Sequence, residues 1–187
     1  MANIEGKVVI VTGGARGMGK SHCQVLAKGG AKVVLADVLD DEGQAVVNGI
    51  GANARFFHLD VTSEDNWKKC VAFAEENFGP VTGLVNNAGI GYPKPLDGHS
   101  EEEFRKFVDI NQVGVFLGMK SVLPSMRKRK SGGASIVNIS STAGLRAISN
   151  AIAYIATKFA VTGMSKSAAL DLGPEGIRVN SVHPGTI

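Results

Sequence analysis

The stretch Lys7-Val8-Val9-Ile10-Val11-Thr12-Gly13-Gly14-Ala15-Arg16-Gly17-Met18-Gly19 decides how the rest of the chain is read. Consecutive β-branched residues predict a strand over Lys7–Thr12, and its unbroken apolar character fits burial on both faces. Four glycines between positions 13 and 19 then allow a tight turn. An amphipathic segment follows and predicts a helix through Lys28. Strand, glycine turn and helix in this order open a βαβ unit.

The same alternation continues outward. Lys32–Asp37 and Ala54–Asp60 read as the second and third strands, with a helix around Asp41–Asn48 between them. Ser63–Phe78 reads as a helix and Gly83–Asn87 as a short fourth strand. Ser100 and Glu103 form a Ser-x-x-Glu capping box that opens one helix running to about Lys128. Ala134–Ile139 is the fifth strand, and Ile152–Leu172 a helix stopped at Gly173-Pro174. Ile177–Val182 is the sixth strand. Val- and Ile-rich strands alternating with helices predict an α/β fold, a doubly wound parallel sheet with helices on both faces. No repeat or interdomain linker interrupts residues 1–187, so one domain is expected.

Composition narrows the function. Twenty Lys+Arg against 17 Asp+Glu give a net charge of +3, too mild to point to nucleic acid. The basic run Arg127-Lys128-Arg129-Lys130 ends a helical pattern, where cations favour the negative end of the dipole; an anion or membrane patch is the other reading. No apolar run approaches the ~18 residues of a membrane span, and the start lacks a leader's basic flank and apolar core. Cys23 and Cys70 are too few for a disulfide framework, so a reduced, cytoplasmic setting is expected. Four scattered histidines have no ligand spacing, and no metal is expected.

Thr12–Gly19 lies where a strand becomes a helix. Gly13, Gly17 and Gly19 leave room there for a pyrophosphate against the free N–H groups and positive dipole end of the helix, with Arg16 and Met18 in the same turn. Asp37 ends the second strand 20 residues after Gly17. A carboxylate there accepts hydrogen bonds from ribose hydroxyls and repels a 2′-phosphate, so NAD is expected over NADP. Arg16 pulls the other way, since a guanidinium pairs well with a phosphate.

Tyr154 and Lys158 are spaced i, i+4 near a helix start and share one face. A phenol with a reference pKa of ~10 is a poor acid or base near neutrality, and a neighbouring ammonium favours its phenolate. Ser141 follows the fifth strand, on the crevice side of a parallel sheet, where a hydroxyl can polarise a carbonyl. Ser140 and Ser141 also suit helix capping, and one of them can serve that alone. Asn111 interrupts the apolar stripe Phe104, Val108, Val115 of the long helix. It either satisfies backbone at a helix irregularity or organises water near Lys158 as part of a proton relay. Asn86-Asn87-Ala88-Gly89 ends the fourth strand at the same crevice edge, where small residues let a cofactor ring lie on the backbone.

Thr12-Gly13-x-x-x-Gly17-x-Gly19, Asn86-Asn87-Ala88-Gly89, Asn111, Ser141, Tyr154-x-x-x-Lys158 and Asn180-x-x-x-Pro184-Gly185 occur together and in order. The whole chain thereby resembles the short-chain dehydrogenase/reductase family. Thr12–Gly19, Ala36–Leu39, Ser135–Leu145 and Arg178–Gly185 are most similar to 3-alpha-(or 20-beta-)hydroxysteroid dehydrogenases. The resemblance implies a Rossmann-type sheet with NAD as cofactor and Tyr154 as general acid/base. It implies that Lys158 binds the nicotinamide ribose, Ser141 stabilises the substrate oxygen and Asn111 holds a relay water. It further implies cofactor contacts at Asp60, Val61, Asn87, Ala88, Gly89, Pro184, Gly185 and Ile187.

The expected activity is an NAD(H)-dependent exchange between a small hydrophobic secondary alcohol, such as a hydroxysteroid, and its ketone. A 3-oxoacyl-thioester reductase and a non-catalytic dinucleotide-binding redox sensor are the alternatives. A sensor would not need Asn111, Ser141, Tyr154 and Lys158 together. Family members continue beyond Pro184-Gly185 into a substrate loop and a further strand, so a chain truncated at its C-terminus is expected. Gly114, Gly118 and Ser121 on one helix and Ala156, Ala160, Gly163 and Ser167 on another form small stripes. They suit either tight packing on the sheet or the helix-pair contact of a homo-oligomer, a dimer or tetramer, that the resemblance implies.

Overall fold

All five residues of β1, Val8–Thr12, are buried in the computed structural model, which describes residues 4–128 and 133–185. The other strands are β2 (Lys32–Asp37), β3 (Ala54–His58), β4 (Gly83–Asn86), β5 (Ala134–Ile139) and β6 (Ile177–Val182). The helices are α1 (Gly17–Lys28), α2 (Asp40–Ile50), α3 (Glu64–Phe78), α4 (Glu101–Val108), α5 (Gly114–Arg127) and α6 (Ile152–Leu172). The strands form one parallel sheet in the order β3-β2-β1-β4-β5-β6. The chain winds outward from β1 to β3, returns to β4 and winds the other way. The connections leaving β1 and β4 therefore diverge, and a crevice opens at their carboxyl ends.

Alternation along β1 supplies both halves of the core. Val8 and Ile10 pack with Trp67, Leu84, Val115, Val122 and Ile136 beneath α3, α5 and α6. Val9 and Val11 pack with Cys23, Ala27, Leu35, Val46 and Val47 beneath α1 and α2. The fold is thus the expected doubly wound α/β sheet. Cys23 and Cys70 are free and buried; desolvation pushes both thiols up to about 12, so neither ionises near neutrality. Among the described residues no His, Cys, Asp and Glu group could hold a metal ion, and no helix is long and apolar enough to cross a membrane.

One element departs from the sequence expectation. The Ser100/Glu103 capping box is present, but the long helix is not continuous. A wide π-turn over Asp109–Val113 separates α4 from α5. The extra residue shifts the inward face: Phe107 is fully buried, whereas Phe104, expected in the apolar stripe, is more than a third exposed. Asn111 sits inside that turn and is buried. At the C-terminal end of α5, Arg127 pairs with Glu175 and Lys128 with Glu75, which favours the helix-end reading of the basic run; Arg129 and Lys130 lie outside the described residues.

Candidate functional site

The crevice begins at the glycine turn. Gly13 (φ 63°) and Gly17 (φ 50°) adopt left-handed backbone that side-chain-bearing residues rarely take. The Thr12 hydroxyl accepts the N–H groups of Asn87 and Ala88, both at 3.0 Å. The Asn87 amide in turn donates to the carbonyls of Thr12 (2.9 Å) and Gly13 (3.1 Å). The ends of β1 and β4 are thus laced together beneath the turn. Arg16 begins α1 without a side-chain cap, whereas Ser63 caps α3 and Ser100 caps α4. The first N–H groups of α1 therefore have no side-chain acceptor, and a Cβ at Gly17 would meet nothing within 4 Å.

Gly19 is constrained differently. A Cβ there would lie 2.0 Å from the Gly13 carbonyl oxygen and 2.6 Å from Asn87 Nδ2. Gly19→Ala must push the turn away from Asn87, and we expect a loss of about 1–3 kcal/mol by urea denaturation. A variant as stable as its parent would mean that the turn yields freely.

Asp37 ends β2 under the same turn. Its carboxylate accepts the Ala15 N–H at 2.9 Å and the Leu39 N–H at 3.1 Å, which joins the glycine turn to the start of α2. The Arg16 guanidinium is not loose: its Nε and Nη2 both engage the Glu42 carboxylate. Asp60 accepts hydrogen bonds from the Thr62 N–H and hydroxyl, and the Val61 carbonyl accepts the Trp67 indole N–H at 3.0 Å.

On the far side of β4 the two serines separate. Ser140 is buried, donates to the Lys158 carbonyl (3.0 Å) and shares a hydrogen bond with Thr162, so it ties β5 to α6. Ser141 accepts the Ala143 N–H at 3.0 Å and lines the crevice, so its own hydroxyl proton remains available. The ring of Tyr154 packs beside Gly91, where a Cβ would come within 3.0 Å of it. Lys158 Nζ lies 5.4 Å from the centre of that ring and donates to the Ile139 carbonyl at 2.8 Å. Burial pulls the Lys158 ammonium down from 10.5 to about 8.

Asn111 follows the first of the two sequence readings, in which its amide satisfies main-chain groups. It brackets Ile90, accepting its N–H at 2.8 Å and donating to its carbonyl at 2.9 Å, and it also donates to Thr157 Oγ1 at 3.2 Å. It therefore satisfies backbone, but on a crevice loop 21 residues away rather than on its own turn. It also borders the lysine: a Cβ at Gly89 would lie 3.1 Å from Asn111 Oδ1 and 3.7 Å from Lys158 Nζ.

These residues line two adjoining clefts. One, of about 600 Å³, gathers Gly13, Arg16, Gly17, Met18, Asp37, Asp60, Val61, Asn87, Ala88 and Gly89. The other, of about 450 Å³, gathers Ser141, Tyr154, Lys158, Pro184 and Gly185, with apolar Tyr92, Pro93 and Ile148 on its wall. Met18, Asn87, Gly89 and Ile90 line both, so the two form one elongated crevice. Gly19 and Asn111 support it from behind, and Ile187 lies outside the described residues. The sequence reading missed several supporting contacts. Glu42 holds Arg16, and His183 bonds the Ser141 carbonyl through Nδ1 at 3.0 Å. Lys94 pairs with Glu103 while its N–H bonds the Asn150 carbonyl, which fastens the crevice loop to the segment before α6. The acidic first turn of α2 was the available signal for Glu42; the other two link residues with no readable spacing.

Known proteins are similar to this chain in sequence and in fold. The chain is 48% identical over 190 residues to trans-4-hydroxycyclohexanecarboxylate dehydrogenase of Sinomonas cyclohexanicum, covering 97% of this chain and 72% of that protein. It is 48% identical to 3-alpha-(or 20-beta)-hydroxysteroid dehydrogenase of Mycobacterium tuberculosis, over 97% of this chain and 69% of the relative. Identity to cyclopentanol dehydrogenase of Comamonas testosteroni is 46%, over 100% of this chain and 75% of the relative. The fold superposes with a TM-score of 0.94 on the crystal structure of 3-ketoacyl-(acyl-carrier-protein) reductase from Brucella melitensis complexed with NADH. That match has 36% identity and covers 97% of this chain and 76% of the other. The family model for short chain dehydrogenases matches residues 7–187, and the chain belongs to that family.

Proposed function

We propose that this chain interconverts an alicyclic secondary alcohol and its ketone with NAD(H) as the redox partner. The observation that carries this reading is the shared crevice: Ser141, Tyr154 and Lys158 line one cleft, which runs into the cleft built on the glycine turn. The uncapped start of α1, the open space at Gly17 and the Asp37 carboxylate fit the pyrophosphate and adenosine ribose of a dinucleotide. Gly13, Arg16, Gly17, Met18, Asp37, Asp60, Val61, Asn87, Ala88 and Gly89 would hold that part, with Gly19 keeping the turn in place. Tyr154, Lys158, Pro184 and Gly185 would border its nicotinamide end. Held there, the dinucleotide would supply the hydride donor or acceptor for the substrate carbon.

The chain's own groups manage the oxygen. Ser141 would donate a hydrogen bond from its free hydroxyl to the substrate oxygen and fix it near Tyr154. The Tyr154 hydroxyl delivers or removes the oxygen's proton. Lys158, anchored on the Ile139 carbonyl, keeps positive charge beside the Tyr154 ring and offers N–H donors to a ribose. Asn111 fixes the Ile90 segment, and in the proton relay that the family resemblance implies it would hold a water near Lys158. An alicyclic ring suits the apolar wall of Tyr92, Pro93 and Ile148, and the names of the three relatives share that substrate chemistry.

The apolar groove between α5 and α6, lined by Phe116, Leu123 and Met164 among others, supports a homo-oligomer contact. The two small stripes divide here. Gly114 and Gly118 face inward on Val61 and Trp67, whereas a Cβ at Gly163 would meet only open space. Free, buried Cys23 and Cys70 suit a reducing cytoplasm.

The test is NADH oxidation with cyclic ketones, 3-keto and 20-keto steroids and an acetoacetyl thioester. We expect the cyclic ketones to turn over. Folded protein that binds NADH and reduces none of them would overturn the reading. Preference for the thioester would instead support a 3-oxoacyl-thioester reductase, a second reading favoured by the Brucella melitensis neighbour.

A further inference from the structure

Arg16 is the one cation of the glycine turn, and both Arg16 and Asp37 line the larger cleft. A guanidinium presents its donors as a planar fork that matches a carboxylate or a phosphate equally well, but it holds only one of them on a given edge. In this protein the Nε/Nη2 edge is occupied: both nitrogens donate to the two oxygens of Glu42. Glu42 stands in the first turn of α2, with Asp40 and Asp41, directly after the segment that carries Asp37. Asp40 is turned the other way, onto His58 at 2.7 Å. The negative charge nearest Arg16 is therefore supplied by Glu42 and Asp37, and both keep its proton bound more tightly than usual, the hydrogen bond that Arg16 donates to Glu42 most of all.

We infer that Glu42 is a specificity-determining residue: by occupying the Nε/Nη2 edge of Arg16 and offsetting its charge, it weakens the hold of the turn's one cation on a 2′-phosphate. The inference rests on the dinucleotide reading of the cleft. NADH carries a 2′-hydroxyl, which Asp37 accepts without disturbing the Arg16–Glu42 pair. NADPH carries a phosphate in its place. To gain the Nε/Nη2 edge it must displace the Glu42 carboxylate, and on the remaining Nη1 side it meets a guanidinium whose charge Glu42 already offsets. Selectivity against NADPH thus has two parts, repulsion at Asp37 and sequestration of Arg16 by Glu42, and the second lies outside the cleft lining.

Glu42 and Arg16 are solvent-exposed, so substituting them leaves the core intact. Fluorescence titration with NADH and NADPH gives a ratio of dissociation constants for the parent, Glu42→Gln, Arg16→Ala and the double variant. Adenosine 2′,5′-bisphosphate against ADP provides the same comparison without a nicotinamide. Glu42→Gln is expected to shift the ratio toward NADPH by on the order of tenfold, because the fork is released to a charge-assisted bond. The shift should be absent in Arg16→Ala and in the double variant. An unmoved ratio in Glu42→Gln overturns the inference. So does an equal shift in the double variant, which would assign the effect to lost negative charge rather than a freed guanidinium. A parent that binds neither dinucleotide overturns the cofactor reading and this inference with it, whereas a parent that binds NADH while the ratio stays fixed overturns the inference alone.

Discussion

Tyr154→Phe is expected to lower kcat for ketone reduction by about 10³-fold or more while NADH affinity stays within about threefold, because a positioned general acid is worth about 10²–10⁴-fold. The change removes one oxygen and little else. The aromatic ring, packed beside Gly91 and under Lys158 Nζ, is retained in phenylalanine. Among the described residues no hydrogen bond engages the Tyr154 hydroxyl, so its removal strands no buried partner. The melting temperature should therefore hardly move, and stability should stay within about 0.5 kcal/mol of the parent. This combination makes the result diagnostic. A steep loss of turnover in a protein that folds and binds NADH assigns the proton to Tyr154. A loss of less than about tenfold would transfer the proton to another donor, with Ser141 the first of the cleft's other hydroxyls to test.

How much of this was readable in advance depends on the range of the interactions concerned. β2, β5, β6 and α6 have the boundaries that the sequence predicts, because buried parallel strands are short Val- and Ile-rich runs and α6 ends at Gly173-Pro174. β3 was predicted to reach Asp60 but stops at His58; the Leu59 N–H still bonds the Asp37 carbonyl at 3.0 Å, and the chain then turns into the Asp60–Thr62 contact. The π-turn was not legible. A regular 3.6-residue period was assumed across it, and nothing in the composition of Asp109–Val113 marks an extra residue. Its cause is tertiary, since Asn111 is held by Ile90 and Thr157.

The site follows the same division. Gly13, Gly17, Asp37, Tyr154 and Lys158 announce themselves through local geometry: a strand-to-helix turn, a strand end, a helix face. Ser140 and Ser141 are adjacent and chemically identical, so only their partners separate them, α6 for Ser140 and the 142–144 turn for Ser141. The sequence reading lets Arg16 pull toward a 2′-phosphate because a guanidinium beside the turn pairs well with one. Its partner in the structure comes from α2, 26 residues on, and reverses the implication. The structure brings residues read through their secondary structure into the crevice, whereas the surroundings of Arg16, Ser140 and Asn111 are set by partners in other elements.

Lys158 tests whether the crevice carries a burden that the fold alone would not choose. Its ammonium is buried among α6, β5 and the crevice floor, and the same desolvation that sharpens its charge for a bound ribose works against folding. Below about pH 8 Lys158 is protonated in both the folded and the unfolded chain, and the fold bears the full cost of the buried charge. Between about 8 and 10.5 the folded protein has released this proton while the unfolded chain still holds it, so stability rises with pH. Above 10.5 the residue contributes no further change. A displacement from 10.5 to about 8 corresponds to about 3 kcal/mol at 1.36 kcal/mol per unit. Lys158→Met removes that cost but leaves the Ile139 carbonyl without its donor, a loss of about 1–2 kcal/mol. The variant should therefore be more stable than its parent by about 1–2 kcal/mol at pH 7, with the advantage shrinking or reversing by pH 10. Its turnover should fall by about 10²-fold or more. Urea denaturation at the two pH values, run beside NADH oxidation, checks both halves. A variant that is less stable at pH 7 would show that the bond to Ile139 outweighs burial, and that the lysine is held for structure as much as for chemistry.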